Sequence, residues 1–476
     1  MTGSSVRLAV AAGVVLSLNG CSVKQPPPVS ETVKEALPET TEVPEDFRES
    51  DAAAPGQVEH GWLKTLGDPE LEALVAEAVK NNLSLRAAVA SLDKAAGFAT
   101  QAGAELKPAI ALTDKGLSRE GFAADATGIK NSGVNLNVSW ELDIWGRVRA
   151  QAQAGELAFE AAQYQVEWAY QSVAAQTAKT WFLVTEARLQ EQLAQGAVDL
   201  AQRTLEVVEA KHELGQVTNK EVALAHASLS SRKAAVRQAR GGRQQAARAL
   251  EVLLGRYPAA EIDGATDLVA VPPPIPIGLP SELLERRPDL IAAERAVAAE
   301  FSQIQSAKAA RLPRIALTAG VGTSSTELTD IVSLGGDFWN VGANFVAPIF
   351  TGGALQAQVE IEEADQEAAL ANYGLAALKA FAEVEQGLSN ETLLMEREMF
   401  VREALADAHE ALRVAEAQFE VGRTDLLSVL QQQGQVISAR VGLLNLRDQR
   451  LQQRVDLHLA IGGGFDAPPA PEDEEG

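Results

Sequence analysis

The plainest pattern in the chain is an alternation with a period of two. Val134, Leu136, Val138, Trp140 and Leu142 alternate with Asn135, Asn137, Ser139, Glu141 and Asp143. Ile315, Leu317, Ala319 and Val321 alternate with Ala316, Thr318, Gly320 and Gly322, and Val341, Ala343, Phe345, Ala347 and Ile349 with Asn340, Gly342, Asn344, Val346 and Pro348. Such stretches predict strands of about ten residues that are apolar on one side. A half-buried soluble sheet would give the same alternation. Four strands per chain are too few to close a barrel. Edges left open in lipid would leave backbone groups unpaired at several kcal/mol each, so a membrane sheet of this size must close with other copies.

A second period runs between the strands. Ala154, Ala161, Trp168, Ala175, Phe182 and Leu189 lie seven apart, and the phase then slips by four to Leu193, Leu200, Val207 and Leu214. This is a heptad seam with a stutter. No proline occurs between Pro108 and Pro258. A helix over 147–213 would extend on the order of 100 Å at ~1.5 Å per residue. A second apolar stripe (Ala150, Leu157, Tyr164, Ala178) suits a helix with partners on two sides. An ordinary coiled coil would share the seam but not the strands.

The pattern occurs twice. Lys107-Pro108-Ala109-Ile110-Ala111-Leu112-Thr113 returns as Leu312-Pro313-Arg314-Ile315-Ala316-Leu317-Thr318. Gly146 answers Gly352, Gly215 answers Gly422 and Gly255 answers Gly462, with every pair 205 to 207 positions apart. One sustained spacing implies a duplicated unit of helix, two strands, long helix and returning helix. The first repeat is placed at 61–257, with a helix from Pro69 to Leu106, strands at about 109–143, a long helix at about 147–213 and a return helix at about 217–254. The second is placed at 288–464, with strands at about 314–350 and helices at about 353–420 and 424–460. Residues 258–287 form a Pro-rich connector.

Composition narrows the function. The net charge of −24 argues against nucleic acid, which needs clustered Lys and Arg. Only 5% of residues are aromatic, which suits helices packed through small side chains. The five histidines are scattered without ligand spacing, and Gly320 to Gly322 sits inside a strand, so neither enzyme chemistry nor a cofactor is expected. The single cysteine, Cys21, follows an apolar run over residues 6–18 and the sequence Leu18-Asn19-Gly20. This resembles a bacterial lipobox and implies a signal peptide over 1–20, lipidation of Cys21 and an anchored tether over 21–60. Residues 465–476 read as an acidic disordered tail.

Three segments carry a family resemblance: Trp140-Glu141-Leu142-Asp143-Ile144-Trp145-Gly146-Arg147, Glu285-Arg286-Arg287-Pro288-Asp289-Leu290 and Pro348-Ile349-Phe350-Thr351-Gly352-Gly353. In order and in phase with the duplication, they resemble TolC-type outer-membrane efflux lipoproteins of the NodT/OprM branch over residues 61–464. The resemblance implies a mixed α/β membrane protein: a homotrimer whose twelve-stranded β-barrel continues as a periplasmic α-helical barrel. It further implies the cell outer membrane as location, a periplasmic membrane-fusion adaptor and an inner-membrane RND-type pump as partners, and passive conduction of small molecules. A duct for secreted polypeptides and a lipid-anchored coiled-coil scaffold are the alternative readings.

Within that frame Gly146 and Gly352 are strand-to-helix turns, and Gly215 and Gly422 are hairpin tips. Trp140, Trp145, Trp339 and Phe350 form an aromatic girdle at the membrane surface. The segments 116–133 and 323–337 become outer loops. In TolC itself, acidic residues six and nine places after the second tip glycine narrow the entrance. Ser428 and Gln431 stand there in this chain, so Asp425 and Arg423, with Glu221 from the first repeat, become the candidate periplasmic gate.

Overall fold

The computed structural model describes residues 24–50, 53–54, 56–58, 60–118, 131–323 and 337–465. Cys21, the signal segment, the acidic tail after Phe465 and most of both expected outer loops lie outside the described residues. The described chain runs α1 (Val29–Ala36), α2 (Trp62–Thr65), α3 (Pro69–Asn81), α4 (Leu83–Ala104), β1 (Ala109–Ser118), β2 (Asn131–Leu142), α5 (Arg147–Glu213) and α6 (Asn219–Leu253). It continues through α7 (Pro280–Arg286), α8 (Pro288–Ala309), β3 (Arg314–Thr323), β4 (Asp337–Val346), α9 (Ala354–Glu420) and α10 (Leu426–Ala460). The duplication is kept to the residue: α4 and α8 have 22 residues each, α5 and α9 have 67, and α6 and α10 have 35.

The chain divides into two compact units. One comprises Met1–Thr41, Ala90–Tyr164 and Ile291–Ala376; the other comprises Glu42–Val89, Gln165–Leu290 and Ala377–Gly476. The first holds the sheet, in the order β1-β2-β3-β4 with every pair antiparallel. Helices there approach closely because small residues face each other: a Cβ on Gly155 would lie 3.2 Å from the Ala99 backbone. The second unit has a core around Trp181, Phe182, Leu250, Leu254 and Leu451, each 1% exposed or less. Toward the helix ends Leu205, Val208, Leu229, Phe419 and Leu426 form a separate cluster.

Four expectations change. The helix from Pro69 to Leu106 is broken at Asn82, whose ψ of 126° is extended. Its side-chain oxygen accepts from the Ser84 and Leu85 N–H groups at 2.9 and 3.2 Å and caps the next helix, a role asparagine favours over helix interior. The last strand stops at Val346 because Pro348 has no N–H to continue the ladder, so Phe350 lies beyond it, 90% exposed. In the seam, Val207 and Leu214 are 48% and 73% exposed, while Ala197, Ala201, Leu205 and Val208 carry the contact. After the stutter, the stripe that meets α6 and α9 within the chain is the neighbouring one. Finally, the expected tether contains α1, whose Val33 and Ala36 pack on Tyr373, Leu370 and Val297. A Cβ on Gly374 would stand 2.3 Å from the Ala36 carbonyl, so only glycine lets α1 lie there.

Candidate functional site: the sheet face and the helix tips

The strand register sorts side chains cleanly. Across the sheet, Leu112, Leu136, Val321 and Trp339 share one face, as do Ile110, Val138, Ala319 and Val341. No layer among the described residues covers them: Ile110 is 67% exposed, Leu112 70%, Val341 75% and Trp339 77%. A contiguous open apolar face of this kind marks a lipid or protein contact. The opposite face carries Thr113, Asn135, Asn137, Thr318 and Asn340 over glycines 320, 322 and 342. Asn135 Nδ2 donates to Asn137 Oδ1 at 2.6 Å, and Asn137 Nδ2 donates to Thr113 Oγ1 at 2.7 Å. One face suits hydrocarbon and the other suits water. Among the described residues, the outer strands β1 and β4 each pair on one side only.

The predicted aromatic positions divide into two kinds. Trp140 Nε1 donates to the Leu106 carbonyl at 3.0 Å and Trp145 Nε1 to the Pro313 carbonyl at 2.6 Å, so each indole is held by its polar edge. Trp339 and Phe350 present exposed rings. At the strand-to-helix turn Gly146 has φ of 80°, and Asp143 accepts from the Val148 and Arg149 N–H groups at 3.1 and 2.9 Å. Arg147 clasps Glu141 through two 3.1 Å bonds. The shared motif is therefore a turn with its own cap and clamp. Gly352 likewise has positive φ, at 61°.

The chain reverses between α5 and α6 and between α9 and α10. Gly215 and Gly422 have φ of 68° and 73°, and each closes its helix by paired backbone bonds: Gly215 N to His212 O with Gln216 N to Lys211 O, and Gly422 N to Phe419 O with Arg423 N to Gln418 O. Lys211 Nζ donates to the Phe419 and Glu420 carbonyls at 2.9 and 3.2 Å, binding one tip to the other's helix end.

The three gate candidates line one recess of about 940 Å³ at these tips. Within one chain their carboxylates serve the helices. Glu221 accepts from the Thr218 N–H at 2.9 Å in a capping box at the start of α6, and Asp425 accepts from the Ser428 N–H at 2.9 Å as the N-cap of α10. Each is held below its ordinary carboxylate value, Glu221 chiefly by the Thr218 side chain and Asp425 chiefly by the Ser428 N–H. The residues correspond across the duplication, Thr218 to Asp425 and Glu221 to Ser428.

Several groups were missed by sequence reasoning. Arg287 is 2% exposed; it donates to Asp289 at 2.9 and 2.8 Å, to Glu383 at 2.6 Å and to the Ala460 carbonyl at 3.2 Å, and lies 4.8 Å from the Trp168 ring centre. Glu398 is held by Arg402, Arg450 and Arg447, and Glu191 by Arg240 and Arg243 at 2.8 Å each. Carrying the offset of 207 from Arg240 and Arg243 to Arg447 and Arg450 was the available signal.

The outer membrane efflux protein family profile matches this chain twice, over residues 74–256 and 279–463. The chain belongs to that family. The two matches coincide with the two repeats. Among curated relatives, the pyoverdine export outer membrane protein OpmQ of Pseudomonas aeruginosa is 30% identical over 420 residues, covering 85% of this chain and 87% of its own. The cation efflux system protein CusC of Escherichia coli is 28% identical over 459 residues, covering 95% and 97%. The solved CmeC outer membrane channel of Campylobacter jejuni superposes with a TM-score of 0.84 at 25% identity, over 94% of this chain and 96% of that one. This efflux protein therefore resides in the outer membrane, has the fold of these channels and serves as an efflux channel. No described helix is long and apolar enough to cross a membrane, and no described group of His, Cys, Asp or Glu could hold a metal ion.

Proposed function

We propose that three copies close their sheets into one twelve-stranded barrel and conduct small molecules passively from a periplasmic adaptor and an inner-membrane RND-type pump to the exterior. The observation that carries this is the sheet itself: four strands, one bare apolar face, one amide-rich face and two edges that pair on one side only. In hydrocarbon those edges must find strands, and identical copies offer them. The export and cation-efflux names of the relatives favour small solutes over a polypeptide. The chain acts as a duct without catalysis, and the pump supplies the energy.

The finer assignments belong to the same reading. Cys21 carries lipid as a second anchor, and Trp140, Trp145, Trp339 and Phe350 sit at the membrane surface. Glu221, Arg423 and Asp425, which line one recess, form the gate and help hold the resting aperture shut through ion pairs. The repeat boundaries, connector and tail keep the roles given above. Reconstitution of the full-length protein in lipid tests the reading: a trimeric mass and discrete single-channel currents are expected. A monomer in lipid, or an assembly without current, refutes it. Unchanged conductance in both Asp425→Ala and Arg423→Ala removes the gate assignment alone.

A further inference from the structure

Between α5, α9 and α10 lies a groove of about 550 Å³ that the conduction pathway does not explain. Its floor is apolar: Leu189, Leu193 and Leu200 of α5 face Leu405 of α9 and Leu444 of α10. All five are half-buried. Leu193 and Leu200 are the seam positions left over when the buried stripe shifted.

The rim has the opposite sign from the rest of the molecule. Arg203, Arg440 and Arg447 stand along it with His409, and Asp267 is the one carboxylate among the lining residues. Arg440 approaches His409 Nε2 at 3.1 Å, where the guanidinium can only donate. Arg447 is 3.7 Å from Glu398, whose oxygens also serve Arg402 and Arg450, so its charge is only partly answered. In a chain of net charge −24, three guanidinium groups around an apolar strip are a local reversal.

The dimensions select among occupants. Lining residues from Gln433 to Arg447 follow about 20 Å of α10 at ~1.5 Å per residue. A helix of that length, about 10 Å across, would fill roughly three times the volume available. An extended hydrocarbon chain is thin enough. The geometry points to a binding site for a single-chain amphiphilic anion, with its carboxylate or sulfate between Arg203 and Arg440 and its tail along the leucines. This assignment is independent of the conduction reading.

Full-length assembled protein, exchanged from detergent into amphipol, is titrated with dodecanoate labelled with carbon-13 at the carboxylate. Saturable binding with a shifted carboxylate resonance is expected, unaffected by excess dodecyltrimethylammonium. The Arg203→Glu/Arg440→Glu variant should bind about ten-fold more weakly or worse, while Leu193→Gln weakens binding without changing the preference for anions. Both substitutions fall on the groove surface, and an unchanged thermal melt shows the fold is intact. The assignment is overturned by equal competition from the cationic amphiphile or by unaltered binding in the charge-reversed variant. Absence of saturable binding to the assembled wild type overturns it as well, because a neighbouring copy then covers the groove.

Discussion

The two repeats agree in the length of every major helix but differ in the residues that fasten those helices together. At the helix break, Asn82 of the first repeat donates to the Leu253 carbonyl at 2.9 Å, while Arg287 of the second donates to Ala460 at 3.2 Å. Leu253 and Ala460 correspond, so a short amide and a long guanidinium tie the same two points. At mid-helix Glu191 takes two arginines and Glu398 takes three. Architecture tolerates exchange of the fastener provided that the carbonyl or charge being fastened still finds a donor. The second repeat has the more ionic set, and that difference can be measured.

The largest effect belongs to the helix break. Arg287→Ala removes a buried guanidinium from two carboxylates and one carbonyl, and leaves Asp289 without its bidentate partner. A loss of about 3–5 kcal/mol is expected for breaking a buried pair. Asn82→Ala removes one cap and one carbonyl tie and should cost about 1–2 kcal/mol. Denaturant unfolding of the two variants checks the order. Equal losses would show that the breaks carry equal load despite their chemistry.

Asp448 has no acidic counterpart, since Gly241 occupies the matching position of the first repeat. It is 5% exposed, Gln452 donates to its Oδ2 at 2.5 Å, and its Oδ1 has no hydrogen-bond partner among the described residues. Burial, aided by the charge of Glu186, pushes its carboxyl up to about 7. Burial raises Glu186 also. A carboxyl with a folded value above its unfolded value of 3.8 binds its proton more tightly in the native state. Stability therefore falls as pH rises from about 4 to about 7 and is lowest, for this group, above that window. Asp448→Asn should stabilise by on the order of 2–3 kcal/mol at pH 8 and by little at pH 4. Thermal melts at both pH values decide it, and a gain equal at both would assign the effect to packing.

The glutamate clamps come next. Glu398→Gln leaves three arginines without their shared carboxylate at a site where the Glu398 side chain is 5% exposed, and about 1–2 kcal/mol is expected. At Glu191, 16% exposed with two arginines, solvent replaces more of the pairing, and the loss should stay under about 1 kcal/mol. Combining the two should give an additive loss because the clamps share no partner.

The legible part of this molecule was whatever repeats with a simple period. Alternation placed three of the four strands and their apolar side, the duplicated Pro landmark placed the first, and proline and glycine landmarks placed the long helices within a few residues, because backbone constraints act locally. Asn82 was missed since one capping residue inside a helix-favouring stretch leaves no periodic trace. Val207 and Leu214 were assigned to the buried seam because a heptad shows that a stripe is apolar without showing which neighbour meets it. The Arg287–Glu383 pair and the influence of Glu186 on Asp448 join residues nearly a hundred or more positions apart, and no local pattern encodes those.

The smallest effect sharpens the comparison most, because the tips use one geometry with the acid in exchanged places. In the first, Thr218 caps and Glu221 answers from the third helical position; in the second, Asp425 caps and Ser428 occupies that third position. Asp425→Ala removes the acceptor for the Ser428 N–H, whereas Asp425→Thr should keep it, since threonine performs that task in the other tip. Both carboxylates face solvent, so the expected result is local: faster amide exchange at the first turn of α10 in Asp425→Ala, with the global melt unchanged. The carboxyl is held low by the bonds from Ser428, so the native state favours its ionised form. Its contribution is present above the unfolded value of 3.8 and disappears as pH falls through the lower folded value. Wild-type exchange at Ser428 should therefore approach that of the alanine variant only in strong acid. Thr218→Asp in the first tip places a second carboxylate beside Glu221, and repulsion between them should undo the capping box although aspartate is itself a good cap. If Thr218→Asp instead protects the first turn of α6, the two tips are interchangeable residue by residue, and the exchange of acid positions between repeats carries no constraint.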